Sequence, residues 1–163
     1  MARLFSFPNP VNEVSARLVA GGVVIMAVAT IVLNQPWLTV VIAYGFVARV
    51  LTGPTLSPLG QFVTRVVTPL LNRPAKLVPG PPKRFAQGIG AAFSVSAAVV
   101  AVSFGLNIAA YILLGFLIFA ATLESVFAYC LGCKVFAVLM RIGLIPEAVC
   151  EECNNVWDRQ VVA

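Results

Sequence analysis

Hydrophobic residues fall into long runs that short polar breaks separate. One run covers 18–33, a second covers 38–53, and a nearly continuous stretch reaches from 85 to 123. The last stretch exceeds the about 20 residues that cross a bilayer, so we expect it to turn back once, at Gly105-Leu106-Asn107. The pattern predicts four membrane-spanning helices, over 17–34, 38–53, 86–105 and 107–128.

The segment between the second and third runs has a different period. Ser57 and Pro58 form a typical helix start, an N-cap followed by proline at the first helical position. Apolar residues then recur at the spacing of one helix face: Leu59, Phe62, Val63, Val66, Val67, Leu70 and Leu71. This predicts an amphipathic helix over 58–72, either in the membrane interface or packed on the end of the bundle. Pro69 should kink this helix or end it early.

Composition agrees with a membrane protein. The 163 residues are 60% hydrophobic and only 10% charged, whereas soluble domains are about 45–50% apolar and about 25% charged. The net charge of +5 does not indicate nucleic-acid binding, because the basic residues flank the hydrophobic runs. The partner that this composition predicts is the lipid bilayer, and we expect no nucleic-acid partner.

Lysine and arginine placement predicts the orientation. The breaks at 34–37 and 105–107 carry no positive charge, whereas the N-terminal segment, the segment between the second and third runs, and the C-terminal part do. Under the positive-inside rule, both termini and the middle segment face the cytoplasm. The N-terminal segment does not resemble a cleaved signal peptide, so we expect the first run to be a membrane helix.

Four cysteines carry the strongest chemical signal in the sequence. Cys130 and Cys133 form one C-x2-C pair, Cys150 and Cys153 form another, and sixteen residues (134–149) separate the pairs. This spacing is typical of a zinc site, in which two such turns complete a tetrahedron of thiolates. A closed four-cysteine site leaves no open position for substrate, so we expect a structural zinc ion.

Three other interpretations of the cysteines stay open. The pairs could be redox dithiols or persulfide carriers, because C-x2-C motifs lower thiol pKa values. They could hold an iron–sulfur cluster, which also uses four thiolates. They could simply pack in apolar surroundings. Disulfides are disfavoured for cysteines on the cytoplasmic side, where thiols stay reduced.

Two ionisable residues fall within predicted spans. Arg49 lies in the second span and Glu124 near the end of the fourth, at comparable depths. Charged groups in spans are costly, and we therefore consider an intramembrane ion pair between them. The alternative is that Arg49 extends to the interface and Glu124 lies at the headgroup level.

No catalytic constellation is visible in the sequence. There is no histidine, which removes the commonest general base. The glycines form neither a phosphate-binding loop nor a dinucleotide fingerprint. A non-enzymatic function is therefore favoured over an enzyme, and transport has no clear signature.

Several phrases resemble a bacterial membrane family known only as domain of unknown function 4395. They are FPNPVNEVSARLVA at the N-terminus, GPTLSPLG after the second run, KRFAQGIG before the third and YCLGCKVF after the fourth. The resemblance covers about Phe7 to Phe136 and implies a small multi-span protein without an established activity. Only Cys130 and Cys133 match the family's cysteine motif.

Together these observations predict an all-α integral membrane four-helix bundle with an interfacial amphipathic helix. A membrane domain covers 1–128, and a cytoplasmic extension pinned by the cysteines covers 129–163. We expect a scaffold or accessory subunit of a bacterial inner-membrane complex, or a homo-oligomer, with structural zinc. The alternatives are a thiol or persulfide relay through Cys130 and Cys133 and, with less support, a small-molecule transporter.

Overall fold

The protein is mostly helical. A computed structural model describes residues 7–150. Its elements, in chain order, are β1 (Val11–Asn12), α1 (Glu13–Val32), α2 (Leu38–Thr52), α3 (Pro58–Phe62), a π-helical turn (Val63–Val67), α4 (Thr68–Leu70), β2 (Leu77–Val78), α5 (Gly80–Phe104), α6 (Asn107–Phe127), α7 (Leu131–Arg141) and a 3₁₀ turn (Glu147–Cys150).

Three helices of the described residues, α1, α5 and α6, are long and apolar enough to cross a membrane. The chain is therefore a membrane protein. The second predicted span, α2, is also apolar but has only 15 residues. The turn expected between the last two spans is present, because Gly105 ends α5 in the left-handed conformation with φ of 65°. However, α5 begins at Gly80, earlier than the sequence pattern predicts, and thus includes Lys83 and Arg84.

Small residues fill the centre of the helix packing. Ala27 of α1, Ala97 of α5 and Ala110 of α6 are fully buried. Large apolar side chains such as Ile25 and Ile108 point outward and are exposed. Lipid tails solvate these outer side chains, whereas small inner residues let helix backbones approach closely. The hydrophobic core joins α1, α2, α5 and α6.

The helical segment from α3 to α4 begins where the sequence predicts. The Ser57 side chain accepts a hydrogen bond from the Gly60 backbone N–H, and Pro58 follows at the first helical position. The helix widens into the π turn over Val63–Val67, which ends two residues before Pro69. Proline has no N–H to donate to the carbonyl of the preceding helical turn, and its ring crowds the carbonyl four residues back. The wider π turn relieves both constraints. The segment ends at Leu70, slightly before the predicted end.

A short antiparallel pair, β1 with β2, was not predicted. Val11 lies opposite Val78 and Asn12 opposite Leu77. The pairing continues with a hydrogen bond from the Glu13 backbone N–H to the Lys76 carbonyl. It joins the start of α1 to the linker that precedes α5. Two-residue strands leave no alternating pattern for sequence reasoning to detect.

Candidate thiol site

The Cys130–Cys133 pair begins helix α7. Cys130 is the N-cap residue, and its Sγ accepts a hydrogen bond from the Cys133 backbone N–H at 3.3 Å. Ala128, with φ of 55°, ends α6 in the left-handed conformation, so the chain turns sharply before α7. The sequence thus places one thiol where a side chain normally caps a helix, and the second one turn into the same helix.

Helix α7 is held tightly against the start of α5. A Cβ atom built on Gly132 would lie 2.5 Å from both Cα and Cβ of Ala86, which is too close for any larger residue without movement. The rings of Phe85 and Phe136 also pack together, with centroids 5.6 Å apart. These contacts fix the cysteines relative to α5.

An ion pair lies beside the cysteines. Lys83 Nζ is 2.6 Å from Glu124 Oε1, and the two side chains are only 10% and 15% exposed. The structure therefore pairs Glu124 with Lys83, and Arg49 does not form the ion pair considered from the sequence. The physical reason is the early start of α5, which places Lys83 in its first turn, against the last turn of α6.

Arg49 is buried and has other partners. Its Nε donates to Gln87 Oε1 at 3.1 Å, and its Nη1 donates to Ser57 Oγ at 3.1 Å. Its guanidinium carbon lies 4.5 Å from the centre of the Phe46 ring. Thus Arg49 links α2 to α5 and to the cap of α3, and it does not extend to the surface.

The two thiols differ in their electrostatic surroundings. A hydrogen bond from the Cys133 side chain lowers the pKa of Cys130, and the Lys83 charge and the Cys133 backbone N–H act in the same direction. Burial and the Glu124 charge oppose this shift. The hydrogen bond to Cys130, followed by burial, strongly raises the pKa of Cys133. Cys130 is thus the thiol that ionises first.

The second cysteine pair is described only in part. Cys150 is buried at the end of the 3₁₀ turn and is disulfide-bonded, contrary to the sequence expectation that disulfides are disfavoured. Cys153 lies outside the described residues. Within 7–150, no three histidine, cysteine, aspartate or glutamate side chains lie together as metal ligands. The four-cysteine zinc site and the iron–sulfur alternative both stay predictions.

Sequence reasoning missed Lys83 and Gln87 as members of the site. Lys83 looked like an anchor before the third span, and Gln87 is an isolated polar residue in an apolar run. One signal was available in the sequence: Lys83, Gln87 and Gly90 recur at the spacing of one helix face. In the structure this face is the packed side of α5. Extending the third span toward its N-terminus would have revealed this polar end.

The comparison with known proteins identifies one family. The model for a domain of unknown function (DUF4395) matches residues 11–141. The matched region includes Cys130 and Cys133 but excludes Cys150 and Cys153. No curated protein and no solved structure matches the chain.

Proposed function

Since the chain belongs to the DUF4395 family, whose description names no activity, we propose from the site itself that it is a membrane thiol relay protein. Cys130 is the reacting thiol and Cys133 the resolving thiol. The observation that carries the proposal is the position of Cys130 as N-cap of α7, where the Cys133 N–H and side chain both donate to its sulfur. Thiols at helix N-termini in C-x2-C motifs are reactive for this reason.

The chemistry is nucleophilic exchange at sulfur. The Cys130 thiolate attacks one sulfur of a partner disulfide, forms a mixed disulfide and releases the other sulfur as a thiolate. Cys133 then attacks the Cys130 sulfur, which releases the partner thiolate and forms the Cys130–Cys133 disulfide; the Cys133 proton passes to the leaving thiolate. With a partner persulfide, Cys130 attacks the terminal sulfur instead, the partner leaves as a thiolate, and Cys130 carries the persulfide.

The proposed setting is the bacterial inner membrane, with four spans and both termini in the cytoplasm. Helix α2 is the short span, about 22 Å long at 1.5 Å per residue, and Trp37 at its start suits an interfacial anchor. The segment from α3 to α4 lies in the cytoplasmic interface. The distribution of lysine and arginine supports this orientation, which puts the thiol site on the cytoplasmic side.

The proposed partners are cytoplasmic thiol or persulfide proteins. One face of α7 exposes Val135, Val138 and Ile142 next to the cysteines. Exposed apolar surface of this kind needs a cover, either a partner protein, a second copy or the membrane surface. It supports a protein that acts in a complex or as a homo-oligomer.

Trapping of a mixed disulfide tests the proposal. The full chain in lipid nanodiscs is reduced, freed of reductant and mixed with glutathione disulfide, and the cysteine peptides are analysed by mass spectrometry. We expect Cys133→Ser to accumulate glutathione on Cys130, and Cys130→Ser to leave Cys133 largely unmodified. Cys150→Ser is the matched control, and its Cys130 and Cys133 peptides should be modified as in the unmodified chain.

Metal analysis of the same protein distinguishes the zinc scaffold. The relay requires a Cys130 that reacts while the protein is folded. About one zinc per chain, together with a Cys130 that reacts only after chelation, would contradict the relay and support the structural zinc site.

A further inference from the structure

A cavity extends from the thiol site into the membrane-spanning part of the protein. Its volume is about 370 Å³, and Cys130 belongs to its lining. Small-molecule sites in proteins have volumes of about 300–1,000 Å³. Along α6 the lining runs from Phe116 to Glu124, about 12 Å at 1.5 Å per residue. The cavity thus connects the reacting thiol to the middle of the helices.

The two ends of the cavity differ in chemistry. Phe93 and Phe116 line the membrane end, with ring centroids 6.3 Å apart. Arg49 and Gln87 also line the cavity and carry N–H donors, and Glu124 supplies a carboxylate. A ligand that fits has a flat apolar ring with hydrogen-bond acceptors at its edge.

The cavity is open at the outer surface of α6. Phe116 and Phe119 line it and are nevertheless 60% and 62% exposed. In a membrane this surface faces lipid tails, so a ligand dissolved in the bilayer reaches the cavity without crossing water. An ionic or strongly hydrated ligand would not use this route.

We propose that the cavity binds the head group of a membrane quinone, which accepts electrons from the Cys130–Cys133 dithiol. This inference rests on the proposed relay function and adds the oxidant that regenerates its disulfide. A quinone is a flat ring with two carbonyl acceptors, is soluble in lipid, and takes two electrons and two protons. A dithiol releases two electrons and two protons when it becomes a disulfide.

Cys130 reacts with the quinone first, and Cys133 then resolves the adduct. The Cys130 thiolate adds to a ring carbon and forms an S–C bond. Cys133 sulfur then attacks Cys130 sulfur, the S–S bond forms, and the S–C electron pair returns to the ring. The two ring oxygens each take one proton, and the ring leaves as hydroquinone. One proton comes from the Cys133 thiol. The other comes from solvent and replaces the proton that Cys130 released when it ionised. Arg49 and Gln87 are positioning residues that hydrogen-bond the carbonyl oxygens.

The test uses the reduced full chain in nanodiscs with decylubiquinone, a benzoquinone whose fully substituted ring has no hydrogen to lose. A thiol adduct on this ring therefore does not become a stable thioether, and it either reverts or is resolved by Cys133. Loss of quinone absorbance and loss of free thiols are measured together. We expect one quinone reduced for each Cys130–Cys133 disulfide formed, and no reduction above background with Cys130→Ser. Ala120 lines the cavity, so Ala120→Phe should lower the rate at least tenfold by filling it. Ala109→Phe, at an exposed position of the same helix outside the cavity, should leave the rate unchanged.

Glutathione disulfide exchange measured on the same samples separates the two proposals. Normal exchange without quinone reduction overturns the quinone site and leaves the relay standing. Failure of both reactions overturns both. If Ala120→Phe and Ala109→Phe slow quinone reduction equally, the cavity is not the site of the reaction. If quinone reduction persists in Cys130→Ser, the cavity site is also overturned. Circular dichroism and thermal unfolding of Ala120→Phe, compared with those of the unmodified chain, serve as its folding control.

Discussion

The Nζ atom of Lys83 lies 2.6 Å from Oε1 of Glu124, and this ion pair joins the first turn of α5 to the last turn of α6. Both side chains are largely buried, and both charges act on Cys130. The pair therefore has two roles, one in holding the helices together and one in setting the ionisation of the neighbouring thiol.

The ion pair should couple energetically. Removing one partner of a buried pair leaves an uncompensated charge, which typically costs about 3–5 kcal/mol. We expect Lys83→Met and Glu124→Leu each to lower the free energy of unfolding in detergent, and the double variant to lose less than their sum. A cycle of Lys76→Met with Glu124→Leu is the control and should be additive, because Lys76 is paired with Glu13. Additive effects of the Lys83 and Glu124 changes would contradict the pairing.

Cys130 should alkylate at lower pH than an ordinary thiol. Because its pKa is lowered, its thiolate fraction is larger than usual at every pH below the ordinary midpoint of about 8.5. The iodoacetamide rate at Cys130 should therefore rise with a midpoint below that value. Cys133→Ala removes the largest cause of the lowering, so its midpoint should move upward. An unchanged midpoint in that variant would show that the Cys133 hydrogen bond does not set the Cys130 pKa.

The charges of the ion pair should shift this midpoint in opposite directions. The Lys83 charge lowers the pKa of Cys130 and the Glu124 charge raises it. Lys83→Met should therefore move the alkylation midpoint of Cys130 to higher pH, and Glu124→Gln should move it to lower pH. Circular dichroism of both variants serves as the folding control. Shifts in the same direction would mean that the changes act through altered packing.

Gly132 should be intolerant of a methyl group. Its added Cβ would lie 2.5 Å from Ala86, so Gly132→Ala must push α7 away from α5. Overpacking of this kind costs about 1–3 kcal/mol, and we also expect a slower Cys130 alkylation. Gly115→Ala is the matched control, since nothing lies within 4 Å of its added Cβ. In a helix that change should be neutral or stabilise by up to about 1 kcal/mol. Equal thermal stability of the two variants would argue against tight α5–α7 packing.

The thiol site should be protected from outside the cell. In intact cells a membrane-impermeant maleimide should not label Cys130 or Cys133 until the membrane is permeabilised. Gln35→Cys, in the uncharged break at the opposite end of the helices, should be labelled from outside and serves as the positive control. External labelling of Cys130 together with protection of Gln35→Cys would reverse the proposed orientation.

Much of the fold follows from one-dimensional features of the sequence. The hydrophobic runs are long enough to identify α1, α5 and α6, and Gly105 marks the turn between the last two. Ser57 and Pro58 begin the next helical segment because their cap chemistry is local. Pro69 was expected to disturb that segment, and a π-helical turn precedes it. These features depend on neighbours within a few residues of the chain, so they can be predicted from the sequence alone.

The partners of the charged residues depended on the tertiary structure. Arg49 and Glu124 lie at similar depths by sequence, but depth does not specify which faces of two helices meet. The α5 helix starts early enough to place Lys83 against Glu124, and Arg49 instead bonds Gln87 and Ser57. The sequence by itself determined that this is a helical membrane protein with a C-x2-C pair after its last long helix. Only the tertiary structure decided that the pair caps a helix beside a buried ion pair, because side chains distant in the chain meet only after the helices have packed.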